Sequence, residues 1–308
     1  MGRCGVCLDP RLAAYGFGDG HPFGNDRFDA FAVEFRRRGL TDRVTPLAAE
    51  TADDSLLGLF HTPEYLARLR EASRLGSGFL DQGDTPAFPG IHEAAALVAG
   101  SVHAAAGRLL AGECESAFVP IAGLHHARRD GAAGFCAVND CGIVIEVLKQ
   151  AGLDRIAYVD IDAHHGDGVF YAFEADPAVL FVDFHEDGRF LYPGTGSADE
   201  TGTGPARGLK MNVPLPPRAD DEVFMALWPA ALRFIRKHGP QFVVLQAGAD
   251  SIAGDPITHL RLSPAVHGRV ATDLATLGVP VLALGGGGYH RPNLAAAWCA
   301  VVKALADC

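Results

Sequence analysis

The sequence predicts an α/β protein, a single domain over residues 1–308 with a central, mainly parallel sheet between helices. Three observations predict it. Seven short runs are continuously apolar and rich in Val and Ile, the pattern of strands buried on both faces. Segments of helical periodicity stand between most of them. The unusual polar residues follow directly on the strand runs, at the ends where an open parallel sheet binds its ligands.

The strand runs, in order, are RCGVCL at the start, SAFVPIA (116–122), RIAYVDI (155–161), AVLFVDF (178–184), KMNVPL (210–215), QFVVLQA (241–247) and VPVLALG (279–285). Residues 26–38 set Phe28, Phe31, Ala32 and Phe35 on one stripe, the i, i+3, i+4, i+7 spacing of a core-facing helix. Segments 90–111, 138–151, 220–238, 263–277 and 291–306 also read as helices. The Gly- and Pro-rich stretches 76–90 and 193–208 are too polar for core and read as long surface loops, which in compact domains often carry function.

Composition narrows the function classes. With 48% hydrophobic and 20% charged residues, the chain is an ordinary soluble globular sequence able to bury a large core. A net charge of −11 opposes nucleic acid as a partner, since a phosphate backbone calls for a basic surface. The one basic run, Arg36-Arg37-Arg38, reads as a solvated helix face. Seven cysteines are scattered rather than paired. Cys4 and Cys7 form a CxxC with no second pair to complete a zinc site, and read as buried thiols. The N-terminus lacks the apolar core of a signal peptide, and no run approaches the roughly 20 apolar residues that span a bilayer. The expectation is a cytoplasmic protein without membrane or nucleic-acid partners.

Five strand runs deliver polar residues to one side of the sheet. In DIDAHH, alternation along an extended chain projects Asp160, Asp162 and His164 the same way. Two carboxylates and an imidazole on one face repel or desolvate one another unless a cation sits among them. The bland alternative, a solvated strand end, fits poorly with aspartates that directly follow the apolar IAYV. Carboxylate oxygen with imidazole nitrogen suits Zn, Fe or Mn, and a catalytic zinc keeps three protein ligands and one open position. Asp250, after QFVVLQA, is the best third ligand, although a lone aspartate after a strand more often caps a helix.

His125-His126 forms the second cluster. A histidine there can take a proton from water and return it to a leaving amine, given an orienting carboxylate, for which Asp160 and Asp167 are candidates. The third feature is GGGGY (285–289). It lacks the Lys-Ser/Thr of a P-loop and is not GxGxxG, so close backbone approach and presentation of Tyr289 to an oxyanion is the better reading.

The motifs YGFGDGHP, GLHHA, GFCAVND, YVDIDAHHGDG, YPGTG, LQAGADSIAGDP and GGGGY stand in this order from about Tyr15 to Trp298. The chain thereby resembles the zinc-dependent histone deacetylases and their bacterial relatives, the acetoin-utilisation-type and acetylpolyamine deacetylases. The resemblance implies the arginase/deacetylase fold and a metal-dependent deacylase that hydrolyses N-acetyl amides. It matches Asp162, His164 and Asp250 to the zinc ligands, with Fe2+ as the alternative metal. His126 matches the general base and acid, His125 its electrostatic partner, Asp160 and Asp167 the carboxylates that orient them, and Tyr289 the carbonyl-polarising tyrosine. Phe135 and Tyr192 match the walls of the acyl-lysine tunnel, with Gly134 beside Phe135 in the substrate-binding set. Tyr192 stands where phenylalanine is more usual. Asp84 resembles a rim carboxylate, Arg27 the arginine of an inner acetate channel, and Asp160 and Asp183 lie near a monovalent-cation site that implies bound K+.

One position bears on substrate. Polyamine-specific relatives carry an acidic gatekeeper where this chain has Ile257, so an acetylated lysine peptide or protein is expected ahead of an acetylated small amine. Against that, Glu186, Asp187 and Asp84 are expected to form an acidic rim that attracts amines. A ureohydrolase on the same fold needs more bridging carboxylates than His165 and Gly166 offer. A non-catalytic acyl-lysine binding protein should have lost Tyr289, His126 or a ligand. The oligomeric state is left open.

Overall fold

The computed structural model describes residues 4–18 and 20–308. Arg3 of the first strand run and Asp19 of YGFGDGHP lie outside the described residues.

Among the described residues eight strands form one sheet: β1 (Cys4–Cys7), β2 (Thr45–Leu47), β3 (Ser116–Val119), β4 (Ile156–Asp160), β5 (Val179–Glu186), β6 (Lys210–Leu215), β7 (Phe242–Gln246) and β8 (Val281–Leu284). Their order is β2-β1-β3-β8-β7-β4-β5-β6, and every pairing is parallel. Each of the seven expected runs is a strand. The eighth, β2, has the sequence TPL at the sheet edge, where two of its three residues are exposed. With neither an apolar run nor alternation to announce it, only pairing with β1 makes it a strand.

The helices are α1 (Asp26–Arg37), α2 (Asp54–Leu57), α3 (Pro63–Leu75), α4 (Ile91–Leu110), α5 (Asp140–Gln150), α6 (Asp167–Ala172), α7 (Asp221–His238), α8 (Pro264–Ala275) and α9 (Arg291–Asp307). The expected stripe of α1 is buried, and Phe31 packs against Phe118 of β3 and Trp298 of α9. Arg36, Arg37 and Arg38 are exposed, with Glu34 paired to the last two. Helices α2, α3 and α6 were not among the expected elements. For α3 the start signal was nonetheless present: Thr62 caps the backbone of Tyr65 at 3.2 Å, Pro63 follows, and Gly76 ends the helix in the left-handed region.

Topology positions the site. Strands β3, β8, β7, β4 and β5 are contiguous in the sheet, so the five polar loops that follow them converge at one edge. Asp160, the last residue of β4, lies in register with Asp183 of β5 on one side and Gln246 of β7 on the other. Among the described residues no helix is long and apolar enough to cross a membrane. All seven cysteines are free thiols, and six, including Cys4 and Cys7, are buried.

Candidate metal centre and active site

Strand β4 stops at Asp160, so strand alternation does not explain the convergence of Asp162 and His164. A turn does. Asp160 Oδ1 accepts from the Asp162 backbone N–H at 3.0 Å, and Asp162 Oδ1 accepts from that of His164 at 3.0 Å. Each carboxylate thus folds the chain for the next residue. Asp250 joins from the loop after β7, tied down by the Ala163 N–H on its Oδ1 at 2.8 Å.

Asp162, His164 and Asp250 are all buried, and their ligand atoms lie within 4.8 Å of one another. His164 Nδ1 stands 3.0 Å from Asp162 Oδ1 and 3.2 Å from Asp250 Oδ2. Burial, then the charge of Asp162, pushes the Asp250 carboxyl up to about 7. Burial alone would depress His164, but the two carboxylates outweigh it and raise the imidazole well above its ordinary range. Two carboxylate oxygens and one imidazole nitrogen are a donor set that could hold a metal ion. Backbone makes room for it: a Cβ on Gly287 would fall 2.1 Å from Asp250 Oδ2, so GGGGY supplies close approach.

The histidine pair stands beside this cluster. His125 Nδ1 bonds Asp160 Oδ2 at 2.8 Å, His126 Nδ1 bonds Asp167 Oδ1 at 2.7 Å, and the two Nε2 atoms face each other at 3.0 Å. Each carboxylate fixes one ring nitrogen, which leaves one proton to share between the facing pair. Burial opposes charge on both rings, but Asp160 and Asp162 overcome it at His125 and push it up to about 9. Burial and the charge of His125 hold His126 down to about 4, so His126 is the neutral ring of the pair at neutral pH.

Tyr289, His125, His126, Gly134, Asp162 and His164 all line one inner cavity of about 20 Å³, room for about one water molecule. Burial, then the charges of Asp250 and Asp162, keep the Tyr289 phenol protonated, a neutral donor. Phe135 lies edge-on to Tyr289 at 5.8 Å, and Tyr192 edge-on to His126 at 5.2 Å, so each expected wall residue touches one ring of the site. Gly134 has a positive φ of 53°, and a Cβ there would meet His126 Cδ2 at 2.4 Å. Arg27 is fully buried, donating to the carbonyls of Gly286 and Gly288, with its Nη1 unpaired.

Asp84 and Ile257 do not line this cavity. Asp84, with Asp81, Arg128 and Tyr192, lines an outer groove of about 540 Å³. Burial and the neighbouring Asp81 push the Asp84 carboxyl up to about 6. Ile257 is half-buried and donates its N–H to Asp255. The expected rim of Glu186, Asp187 and Asp84 does not form. Glu186 is buried, its carboxylate taken by the N–H and ring of His259, and Asp187 is paired with Arg189. The carboxylates that do reach the groove are Asp84 and Asp81.

Several residues of the site escaped the sequence reading. Gln246, fully buried, donates to Asp162 Oδ2 at 2.9 Å and to the Gly123 carbonyl at 3.1 Å. Asp140 accepts from the N–H groups of Gly123 and Leu124 and braces the loop that leads to the histidines. Asp255 accepts from the Tyr289 N–H at 2.8 Å and so anchors the tyrosine loop to the metal-ligand loop. A polar residue inside an apolar run, as in FVVLQA, was the available signal for Gln246.

An all-parallel sheet thus carries a candidate metal cluster at its carboxyl edge, the architecture of an α/β protein with a metal-type site. A family model described as the histone deacetylase domain matches residues 21–305. The chain is 33% identical over 311 residues to histone deacetylase RPD3 of Saccharomyces cerevisiae, covering 96% of this chain and 70% of that protein. It is 36% identical over 306 residues to histone deacetylase 19 of Arabidopsis thaliana, 96% of this chain and 60% of the relative. It is 33% identical over 293 residues to the acetoin utilization protein AcuC of Bacillus subtilis, 91% of this chain and 76% of that protein. The solved HD domain of HDA15 superposes with a TM-score of 0.92 at 29% identity, over 100% of this chain and 90% of that one. The chain belongs to the histone deacetylase family, has the arginase/deacetylase fold, and is a hydrolase acting on amides.

Proposed function

We propose that the protein is a zinc-dependent deacylase that hydrolyses N-acetyl amides, with acetyl-lysine side chains as its first substrate class. The observation that carries this reading is the single inner cavity onto which Asp162, His164, His126 and Tyr289 all open. Asp162, His164 and Asp250 would hold the metal, Zn2+ or Fe2+. When bound, such a cation polarises the amide carbonyl and acidifies water. Tyr289 donates its phenol proton in a hydrogen bond to the same carbonyl oxygen. His126, neutral and held at Nδ1 by Asp167, takes a proton at Nε2 from the attacking water. Charged His125, 3.0 Å away, offsets the negative charge that develops on the oxygen. The C–N bond then breaks, His126 returns its proton to the nitrogen, and acetate and the free amine result.

Asp160 beside Asp183 is the proposed neighbourhood of a K+ ion. An apolar residue at 257 supports acyl-lysine. The carboxylates of Asp81 and Asp84 on the outer groove support a second reading, an acetylpolyamine or small acylamine as substrate. Six buried, unpaired cysteines support a reducing, cytoplasmic setting. The test is release of acetate from a fluorogenic acetyl-lysine peptide, with and without chelator and added zinc. Chelator-sensitive turnover restored by zinc supports the reading. Metal-loaded protein inactive on the peptide but active on acetylpolyamines selects the second reading, and inactivity on both leaves an acyl-lysine binding protein.

A further inference from the structure

Phe135, one wall of the proposed acyl tunnel, has a φ of +67°, a conformation that side-chain-bearing residues rarely hold unless their surroundings impose it. Two hydroxyls clamp its peptide groups. The Phe135 N–H donates to Thr85 Oγ1 at 3.0 Å, and its carbonyl accepts from the Tyr15 hydroxyl at 2.7 Å. Tyr15 also accepts from the Ala137 N–H at 2.8 Å, so that side belongs to the loop's own packing.

Thr85 connects elsewhere. It is fully buried, and its hydroxyl sits 2.5 Å from Asp81 Oδ2 and 3.1 Å from Asp84 Oδ1. The shorter contact takes its single proton. Asp81 Oδ1 in turn accepts from the N–H groups of Gly83, Asp84 and Thr85, at 3.0, 3.1 and 3.0 Å. The loop that bears the groove carboxylates and the wall that confines the acyl group therefore share one hydroxyl. His21 adds a second link, with its ring 4.5 Å from that of Phe135 and its Nε2 3.1 Å from the Asp84 carbonyl.

We propose that Thr85 is a positioning residue that holds Phe135 in its left-handed conformation and so sets the acyl-chain selectivity of the tunnel. This rests on the deacylase reading above. Removing the hydroxyl leaves the Phe135 N–H without its acceptor and frees the backbone that aims the ring. The ring then shifts in the acyl space, while His126 and the metal-ligand loop keep the hydrogen bonds that hold them, none of which involves Thr85.

The experiment compares wild type, Thr85→Val and Thr85→Ser on acetyl- and butyryl-lysyl peptides, with melting temperature recorded alongside. Thr85→Val should raise KM for the acetyl peptide about ten-fold while kcat stays within about two-fold. The acetyl-over-butyryl ratio of kcat/KM should narrow at least about three-fold, and Thr85→Ser should restore both. Should Thr85→Val not fold, Asp81→Asn weakens the acceptor of the same hydroxyl and should move the ratio the same way by a smaller factor. An active wild type with the ratio and KM unmoved by these changes overturns the inference alone. So does a loss equal for both acyl chains that serine fails to rescue, which marks Thr85 as merely structural. A wild type inactive on every acyl-lysine peptide overturns the deacylase reading and this inference with it.

Discussion

Replacing Gly134 with alanine puts a methyl carbon 2.4 Å from Cδ2 of His126, 2.7 Å from Cγ and 3.0 Å from Cβ. Ordinary carbon contact needs about 3.4 Å or more, so ring and loop must part by about 1 Å. The ring cannot simply give way. Its Nδ1 is held by Asp167 at 2.7 Å, and its Nε2 faces His125 at 3.0 Å. Relief comes from tilting His126 out of its hydrogen bonds or from pushing back the 134–135 backbone. Alanine at a φ of +53° adds about 1–2 kcal/mol of its own. A displacement of about 1 Å in a proton-transferring group costs on the order of 100-fold in rate. Gly134→Ala should therefore lower kcat about 100-fold on the acetyl-lysine peptide, with bound metal unchanged and the melting temperature down by only a few degrees. Steady-state kinetics, metal analysis and a thermal melt check all three. Near-normal kcat would refute the argument that His126 acts from its present position. Loss of metal would show that the damage spreads to Asp162 and His164 instead.

The remaining predictions concern single roles. Tyr289→Phe keeps the ring and removes the phenol donor, and should cut kcat by about 100-fold or more with metal content intact; full retained activity refutes the role of the hydroxyl. His126→Ala should do the same, whereas loss of metal in that variant would reassign His126 as a ligand. Asp84 is raised to about 6, so it is largely protonated at pH 5 and largely ionised at pH 7.5. KM for a cationic peptide should therefore fall as pH rises across that window, by up to about five-fold for a partly exposed pair, and Asp84→Asn should flatten the dependence. An unchanged pH profile of KM in the Asn variant would remove Asp84 from substrate recognition.

The strands that are buried on both faces were legible because burial writes itself as an unbroken apolar run. The stripe of α1 was legible because a helix repeats its buried face every three or four residues. Edge strand β2 was not, because an exposed three-residue strand is made by its neighbour's free backbone groups rather than by its own side chains. The same division holds in the site. Asp162, His164 and the histidine pair could be read locally, because polar residues directly after an apolar run need a reason to be there. Asp250 could only be nominated, since 86 residues separate it from His164. What brings them together is the sheet order, in which β7 lies beside β4. Glu186 shows the converse. Its position at the carboxyl end of β5 suggested an exposed rim carboxylate, yet His259 approaches from a distant loop and takes both oxygens. Gln246, Asp255 and Thr85 likewise carry no local signature of their roles, because a hydrogen bond across the fold depends on the partner that tertiary packing supplies. The sequence by itself determined the chemistry on offer at each strand end; only the tertiary structure decided which of those groups meet, and which are spent on holding the others in place.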